Sequence, residues 1–279
     1  VPAEGVFSGF SGSAIWTLIP ALFFGFALAK TGLGRRIASF GMNIVPLTYP
    51  GLVMMWALIG IVLSLLTPSI TVRVVIVTPI ALQSVELLGL AKGSRARSLI
   101  LLIAWAMAMI PGIGWQTGSL AGPVISGFYA ANPALGMIDF SSWARVSLLP
   151  VAIVTLLTLL GGYLLLRPDS PLRVPRDVFE QAYQKLGPLS RHELITAIVL
   201  TFSFLMFTTS GLHGIPDVAT VLFAWFILNL TGIIEPKDIS SGISWDLGVF
   251  IGTAMGFGSV MDRTGISDWL ADHLVGLIA

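Results

Sequence analysis

The stretch TPSITVR (67–73) separates two apolar runs, PGLVMMWALIGIVLSLL (50–66) and VVIVTPIALQSVELLGL (74–90). In hydrocarbon a backbone leaves the helix only where protein or a water-filled cavity satisfies its freed N–H and C=O groups. A proline, two threonines, a serine and an arginine at such a break therefore mark an ion or substrate site rather than lipid-facing surface. Once its polar tip is removed, each arm is short for a full crossing, about 20 residues. Residues 50–90 therefore read as a re-entrant hairpin that enters and leaves on one side.

The rest of the chain supports a membrane setting. It has 279 residues, of which 55% are hydrophobic and 10% charged, against roughly 25% charged in soluble domains. Mean hydropathy is +0.91. A net charge of +1 points away from nucleic-acid partners, and without cysteine there is no disulfide or thiolate metal site. The histidines have no ligand spacing. No HExxH, GxSxG or paired-acid motif suggests an enzyme. The start at Val1 has no basic n-region, so no signal peptide is read, and the chain reads as truncated.

Apolar windows place further spans at about 13–30, 144–166, 193–211, 215–234 and 245–262. Another, from Ser98 to Ala131, is broken at PGIGWQTGSLAGP (111–123). Basic clusters orient the spans: Lys30, Arg35 and Arg36; Lys92, Arg95 and Arg97; and Arg167, Arg173, Arg176, Lys185 and Arg191. By the positive-inside rule all three lie in the cytoplasm. The polar stretch 167–192 is then a cytoplasmic linker between two halves: a first repeat over 1–166 and the start of a second over 193–279. The segment FGFALAKTGLGRRIA (24–38) aligns without gaps with FGSVMDRTGISDWLA (257–271), matching Phe24/Phe257, Gly25/Gly258, Thr31/Thr264, Gly32/Gly265 and Ala38/Ala271. The matched ends fall on opposite faces, the pattern of an inverted-topology repeat.

These blocks, in their order and spacing, resemble the divalent anion/sodium symporter family of citrate, dicarboxylate and sulfate carriers. The resemblance rests on residues 9–38, TPSITVRVVIVTPIA (67–81), 97–123, IDFSSWARVSLLP (138–150) and 243–271. PSITVR is similar to the PSNTAR form of that family's hairpin motif. The resemblance implies an all-α polytopic membrane protein with a re-entrant hairpin, a broken helix and an inverted repeat. It also implies a homodimer in the lipid of the cell (inner) membrane, with no cofactor besides a coupling sodium ion.

Carried over by position, a small anionic substrate meets Ser69, Ile70, Thr71 and Thr117. Sodium meets Ser69, Thr71, Gly112, Gly114, Thr117 and Gly118. Thr67, Pro68, Arg73 and Pro123 support them. Ile70 stands where the family has asparagine, which removes one amide from the anion site. Against the family pattern the chain lacks the earliest spans, the second hairpin and the second broken helix.

Each residue also has a plainer reading. Membrane Ser and Thr often bond only their own i−4 carbonyls. Arg73 reads as an inter-helix anchor or as a fork for an anion, with the orienting role favoured over direct contact. The Gly112–Gly118 run has a plainer reading as a packing kink, but Pro111 and Pro123 on either side, with Gln116, Thr117 and Ser119 between, favour a polar loop. The function the resemblance implies is secondary transport by alternating access of a small divalent anion, a di- or tricarboxylate first, coupled to sodium or to anion exchange. The rivals are a same-fold carrier of a cation or arsenic oxyanion, and a degenerate component that transports nothing.

Overall fold

The computed structural model describes residues 2–131, 136, 138–168, 171–172 and 177–278. Arg173 and Arg176 of the basic linker lie outside them. The chain opens with two single turns, α1 (Ala3–Val6) and α2 (Ser8–Ser11). Then follow α3 (Ser13–Thr31), α4 (Leu33–Ile44), α5 (Tyr49–Leu66), α6 (Ile70–Leu87), α7 (Arg95–Met109), α8 (Ala121–Ala131) and α9 (Phe140–Leu165). The second part holds α10 (Asp177–Gln184), α11 (Arg191–Thr208), α12 (Ser210–His213), α13 (Asp217–Leu230), α14 (Pro236–Ser241), α15 (Trp245–Arg263) and α16 (Ile266–Ile278). Two 3-10 turns, Pro111–Gly114 and Gln116–Gly118, separate α7 from α8.

The protein is a helical, multi-pass membrane protein. Among the described residues α5, α6, α7 with its following turn, α9 and α11 are long and apolar enough to cross a bilayer. The pair α3–α4, bent by 65°, makes a sixth candidate if counted as one span. The bend sits at Gly32, whose φ of +82° is the left-handed conformation glycine adopts freely. Sequence windows did not resolve α4, which is amphipathic, burying Leu33, Ala38 and Met42 while Arg35 and Phe40 face outward. The expected span at 215–234 is realised as the 14-residue α13, about 21 Å at 1.5 Å per residue, short for a hydrocarbon core of about 30 Å.

Helix α7 is the hub. Both hairpin arms, α5 and α6, pack on it more extensively than on each other. Its buried residues Leu99, Ile100, Ile103 and Met107 are at the centre of the largest apolar cluster. Helix α9 is the opposite case: only 6% of its apolar window is buried, and Val146, Leu149, Leu157 and Leu164 are exposed. An apolar helix with so little cover suits lipid contact.

The aligned segments share local structure. Trp16 and Trp245 each donate Nε1–H to the carbonyl six residues back, Phe10 at 3.1 Å and Ile239 at 2.8 Å. Thr31 and Thr264 each donate to the carbonyl four residues back. Both helices end at a left-handed glycine, Gly32 or Gly265, and a second helix follows.

Ion pairs join the end of α3 to α14 and the start of α4 to the start of α11. Lys30 Nζ lies 2.6 Å from Asp238 Oδ2 and 2.9 Å from Glu235 Oε1. Lys30 holds the Asp238 carboxyl below its ordinary range. Arg36 Nε donates to Glu193 Oε1 at 2.7 Å. Its Nη atoms donate to the carbonyls of Leu186, Gly187 and Pro188. The stretch 167–192 thus carries a docked helix: α10 lies on α4, with Phe179 buried and Tyr183 against Phe40.

Candidate functional site

The tip begins where Pro68 ends the α5 hydrogen-bond ladder. Thr67, the residue before it, is extended (φ −151°, ψ 134°), the region a following proline favours. Thr67 Oγ1 accepts from the Ser69 amide at 3.2 Å. Ser69 then caps α6, its Oγ accepting from the Val72 amide at 3.3 Å, as serine does at helix starts. Pro111 ends α7 by the same chemistry, leaving carbonyls without helical partners.

Arg73 collects the freed carbonyls. It is fully buried. Nη1 donates to Thr67 O at 2.6 Å and Gly118 O at 2.8 Å, and Nε donates to Ala108 O at 2.7 Å. One guanidinium thus joins the end of α5, the end of α7 and the end of the second 3-10 turn. Nη2 is buried without a partner, and no described carboxylate lies within ion-pair distance of Arg73. Gly112 makes room for the group: a Cβ there would collide with Arg73 Nη2 and Gly118 O.

The tip and the break face each other. Thr67 and Pro68 meet Thr117 and Pro123 across a narrow crevice of about 20 Å³, closed by Thr17, Ala21 and Phe24 of α3. Beside it, also lined by Thr117 and Pro123, is an open cavity of about 320 Å³ whose other walls include Ser13, Gln116, Ser126, Asp139 and Asp217. Gln116 Oε1, Thr117 Oγ1 and Ser119 Oγ are buried without partners. Buried polar atoms are ordinarily satisfied, so these three are available to a ligand.

The residues nominated from sequence separate into two sets. Thr67, Pro68, Arg73, Gly112, Thr117, Gly118 and Pro123 are brought together at the tip and break. Ser69 and Ile70 are half-buried and Thr71 is exposed; none of the three lines the large cavity. Gly114 faces Leu148 and Val151 of α9. Gln116 and Ser119 add polarity to the loop, and nothing in the sequence distinguishes their unpartnered oxygens.

Residues 2–279 match the family described as "Sodium:sulfate symporter transmembrane region". The chain belongs to that family. It is 26% identical over 275 residues to a "Membrane protein" of Cupriavidus necator, covering 96% of this chain and 53% of the relative. It is 25% identical over 294 residues to spinach "Dicarboxylate transporter 1, chloroplastic", covering 99% and 49%. To the "Putative malate transporter YflS" of Bacillus subtilis it is 25% identical over 286 residues, covering 97% and 58%. The chain thus spans about half the length of these curated relatives. The family and the two relatives named for their cargo are transporters, not enzymes.

Proposed function

We infer that the complete protein is a secondary carrier for a small dicarboxylate or related divalent anion, working in the cell (inner) membrane by alternating access. The observation that carries this reading is the joining of hairpin tip and helix break by Arg73, with three unpartnered side-chain oxygens in the break. Thr117 and Ser119 hydroxyls donate readily to a carboxylate, and the start of α6 at Ser69–Thr71 offers N–H groups and positive dipole. The names of the spinach and Bacillus relatives favour a carboxylate over sulfate or an arsenic oxyanion.

Helices α5 and α6 are each long and apolar enough to cross, so arm length no longer favours the re-entrant reading of 50–90, and its support is depth alone. Thr67 and Val72 lie against Gly25, well inside α3 rather than at its end. In an inverted-repeat carrier a second hairpin completes the anion site, and the working unit is a homodimer in lipid.

The test is uptake of radiolabelled malate by the complete protein in liposomes, compared with Ser69→Ala and Thr117→Ala. Both variants should lose most uptake while folding normally, because a lost hydrogen bond costs only about 0.5–1.5 kcal/mol of stability. Normal uptake in both removes the tip and break from the site. Cysteines at positions 35 and 92 should both be protected from an impermeant thiol reagent on intact cells; labelling of either refutes the one-sided hairpin.

A further inference from the structure

The open cavity beside the crevice is walled by acids and neutral oxygens. Asp139, just before α9, and Asp217, in the first turn of α13, both line it, with Ser13, Gln116, Thr117 and Ser126. Among the described lining residues there is no lysine, arginine or histidine, and α3, the break and α8 bring no titratable group. Two bases lie near. Arg145 of α9 acts on Asp139. His213 of α12 acts on Asp217, but its Nδ1 accepts from the Ile215 amide and its Nε2 lies 3.0 Å from the Met206 carbonyl.

The two acids are held differently. Asp139 caps α9: its carboxylate accepts from the Ser142 amide at 2.7 Å and from the hydroxyls of Ser141 and Ser142. The Ser142 hydroxyl and amide hold this carboxyl below its ordinary range. Asp217 makes no cap hydrogen bond at the start of α13 and no ion pair with a described residue. Of two carboxylates sharing a site, the one without such support takes up a proton more readily.

Gln116 is 4% exposed, and its Nε2 donates to Ser126 Oγ at 2.6 Å and Ile138 O at 3.2 Å. A backbone carbonyl only accepts, so the amide orientation is fixed and Oε1 is left as an acceptor without a donor. An ionised carboxylate is also acceptor-only and cannot satisfy it; a carboxylic acid O–H can. A dianion therefore meets repulsion at this wall, and a singly protonated dicarboxylate meets a partner.

We propose that the carrier takes its dicarboxylate in singly protonated form, with Asp217 handing the proton to the carboxyl group that Gln116 Oε1 receives. This rests on the carrier reading above and deepens it. A proton from water in the cavity first binds an Asp217 carboxylate oxygen. That O–H bond breaks as a substrate carboxylate oxygen takes the proton, and Asp217 returns to its ionised form. The new carboxylic acid donates to Gln116 Oε1, and the other carboxylate, still charged, accepts from the Thr117 hydroxyl. Asp217 belongs to α13, which packs on α3, and Gln116 belongs to the break, so the proton leaves one part of the protein for the other with the substrate.

The complete protein is reconstituted in liposomes and given radiolabelled malate, with sodium equal on both sides. An inward proton gradient should drive accumulation, and a protonophore should abolish it. A protein that exchanges malate but does not accumulate it under the proton gradient overturns the proposal and leaves the carrier reading standing. Failure of folded protein to move malate or sulfate in any arm overturns the carrier reading instead.

Competition for malate exchange tests the protonated form directly. Succinamate carries one carboxylate and a neutral amide donor, and should compete equally at pH 6 and pH 8. Succinate should weaken about tenfold per pH unit over that range, because both values lie above the ordinary carboxyl value of about 4. 3-Sulfopropanoate, whose sulfonate stays ionised, should fail at both. Succinate equally strong at the two pH values, or 3-sulfopropanoate as strong as succinate, overturns the proposal. Asp217→Asn should lose most of the accumulation driven by the proton gradient, and Asp217→Glu should regain it. A folded Asp217→Asn protein that accumulates malate like the natural one overturns the role of Asp217.

Discussion

Among the described residues two arginines are buried, and they are held in different ways. Arg36 sits at the start of α4 on a carboxylate: Nε and Nη2 donate to the two oxygens of Glu193, and backbone carbonyls take the remaining donors. Arg73 sits on dipoles alone, at the ends of two helices and a glycine loop. In the first case charge meets charge, and the local field beyond the pair is small. In the second the positive charge is only balanced in part, and its field reaches the adjoining crevice. The difference teaches that a buried cation can be held by a carboxylate that neutralises it or by carbonyl dipoles that leave part of its charge uncompensated.

The largest expected effect breaks the Arg36 side of this comparison. Glu193→Ala leaves Arg36 buried without its anion, and removal of one partner of a buried pair costs about 3–5 kcal/mol. The midpoint of unfolding in detergent should fall accordingly, and the double variant Arg36→Met, Glu193→Met should recover most of the loss. A double variant no better than the single one would mean that the pair is not the fastener.

A smaller effect tests the Arg73 side. Gly112→Ala pushes a methyl into the guanidinium and the Gly118 carbonyl, an overpacking cost of about 1–3 kcal/mol, and should abolish malate uptake. Gly114→Ala meets Leu148 and Val151 no closer than 3.4 Å, ordinary contact, and should be nearly silent. Equal effects at the two glycines would separate transport from the seat of Arg73.

Next comes the tip itself. If Ile70 faces the anion, Ile70→Asn should tighten dicarboxylate binding by about 1–3 kcal/mol, the scale of a hydrogen bond to a charged group. This is measured by uptake of radiolabelled succinate normalised to folded protein. If position 70 packs against neighbouring helices instead, the amide only destabilises.

The smallest effect is where the end of α3 meets α14. Lys30 depresses the Asp238 carboxyl, so its contribution is fully present above the ordinary aspartate value of about 3.9. That contribution is lost as pH falls below this value and through the lowered one. A titration of stability below pH 4 should be flatter for Asp238→Asn than for the natural protein.

Much of this was legible in the sequence, for identifiable reasons. Composition alone gives the membrane class. Pro68 and Pro111 mark both helix ends, because a missing donor shows in the letters. Helix α4 was hidden because an amphipathic helix bearing Arg35 and Arg36 looks like a polar connection after a span. The docking of α10 was hidden because Phe179 is one apolar residue in a mixed-charge stretch. Gly112 and Gly114 are indistinguishable as letters; one touches the guanidinium and the other touches α9. The partners of Arg73 left no trace at all, since a carbonyl accepts in the same way whatever side chain it bears.

Arg73 also has a mechanical consequence. A guanidinium is a flat, stiff plate, and this one is pinned to three separate pieces of chain. Those pieces cannot slide past one another without breaking a buried hydrogen bond. Tip, end of α7 and glycine loop therefore travel as one solid block. Any hinge must lie outside it, and the crevice between Thr17 of α3 and Pro123 is a seam along which such a block can part from its surroundings.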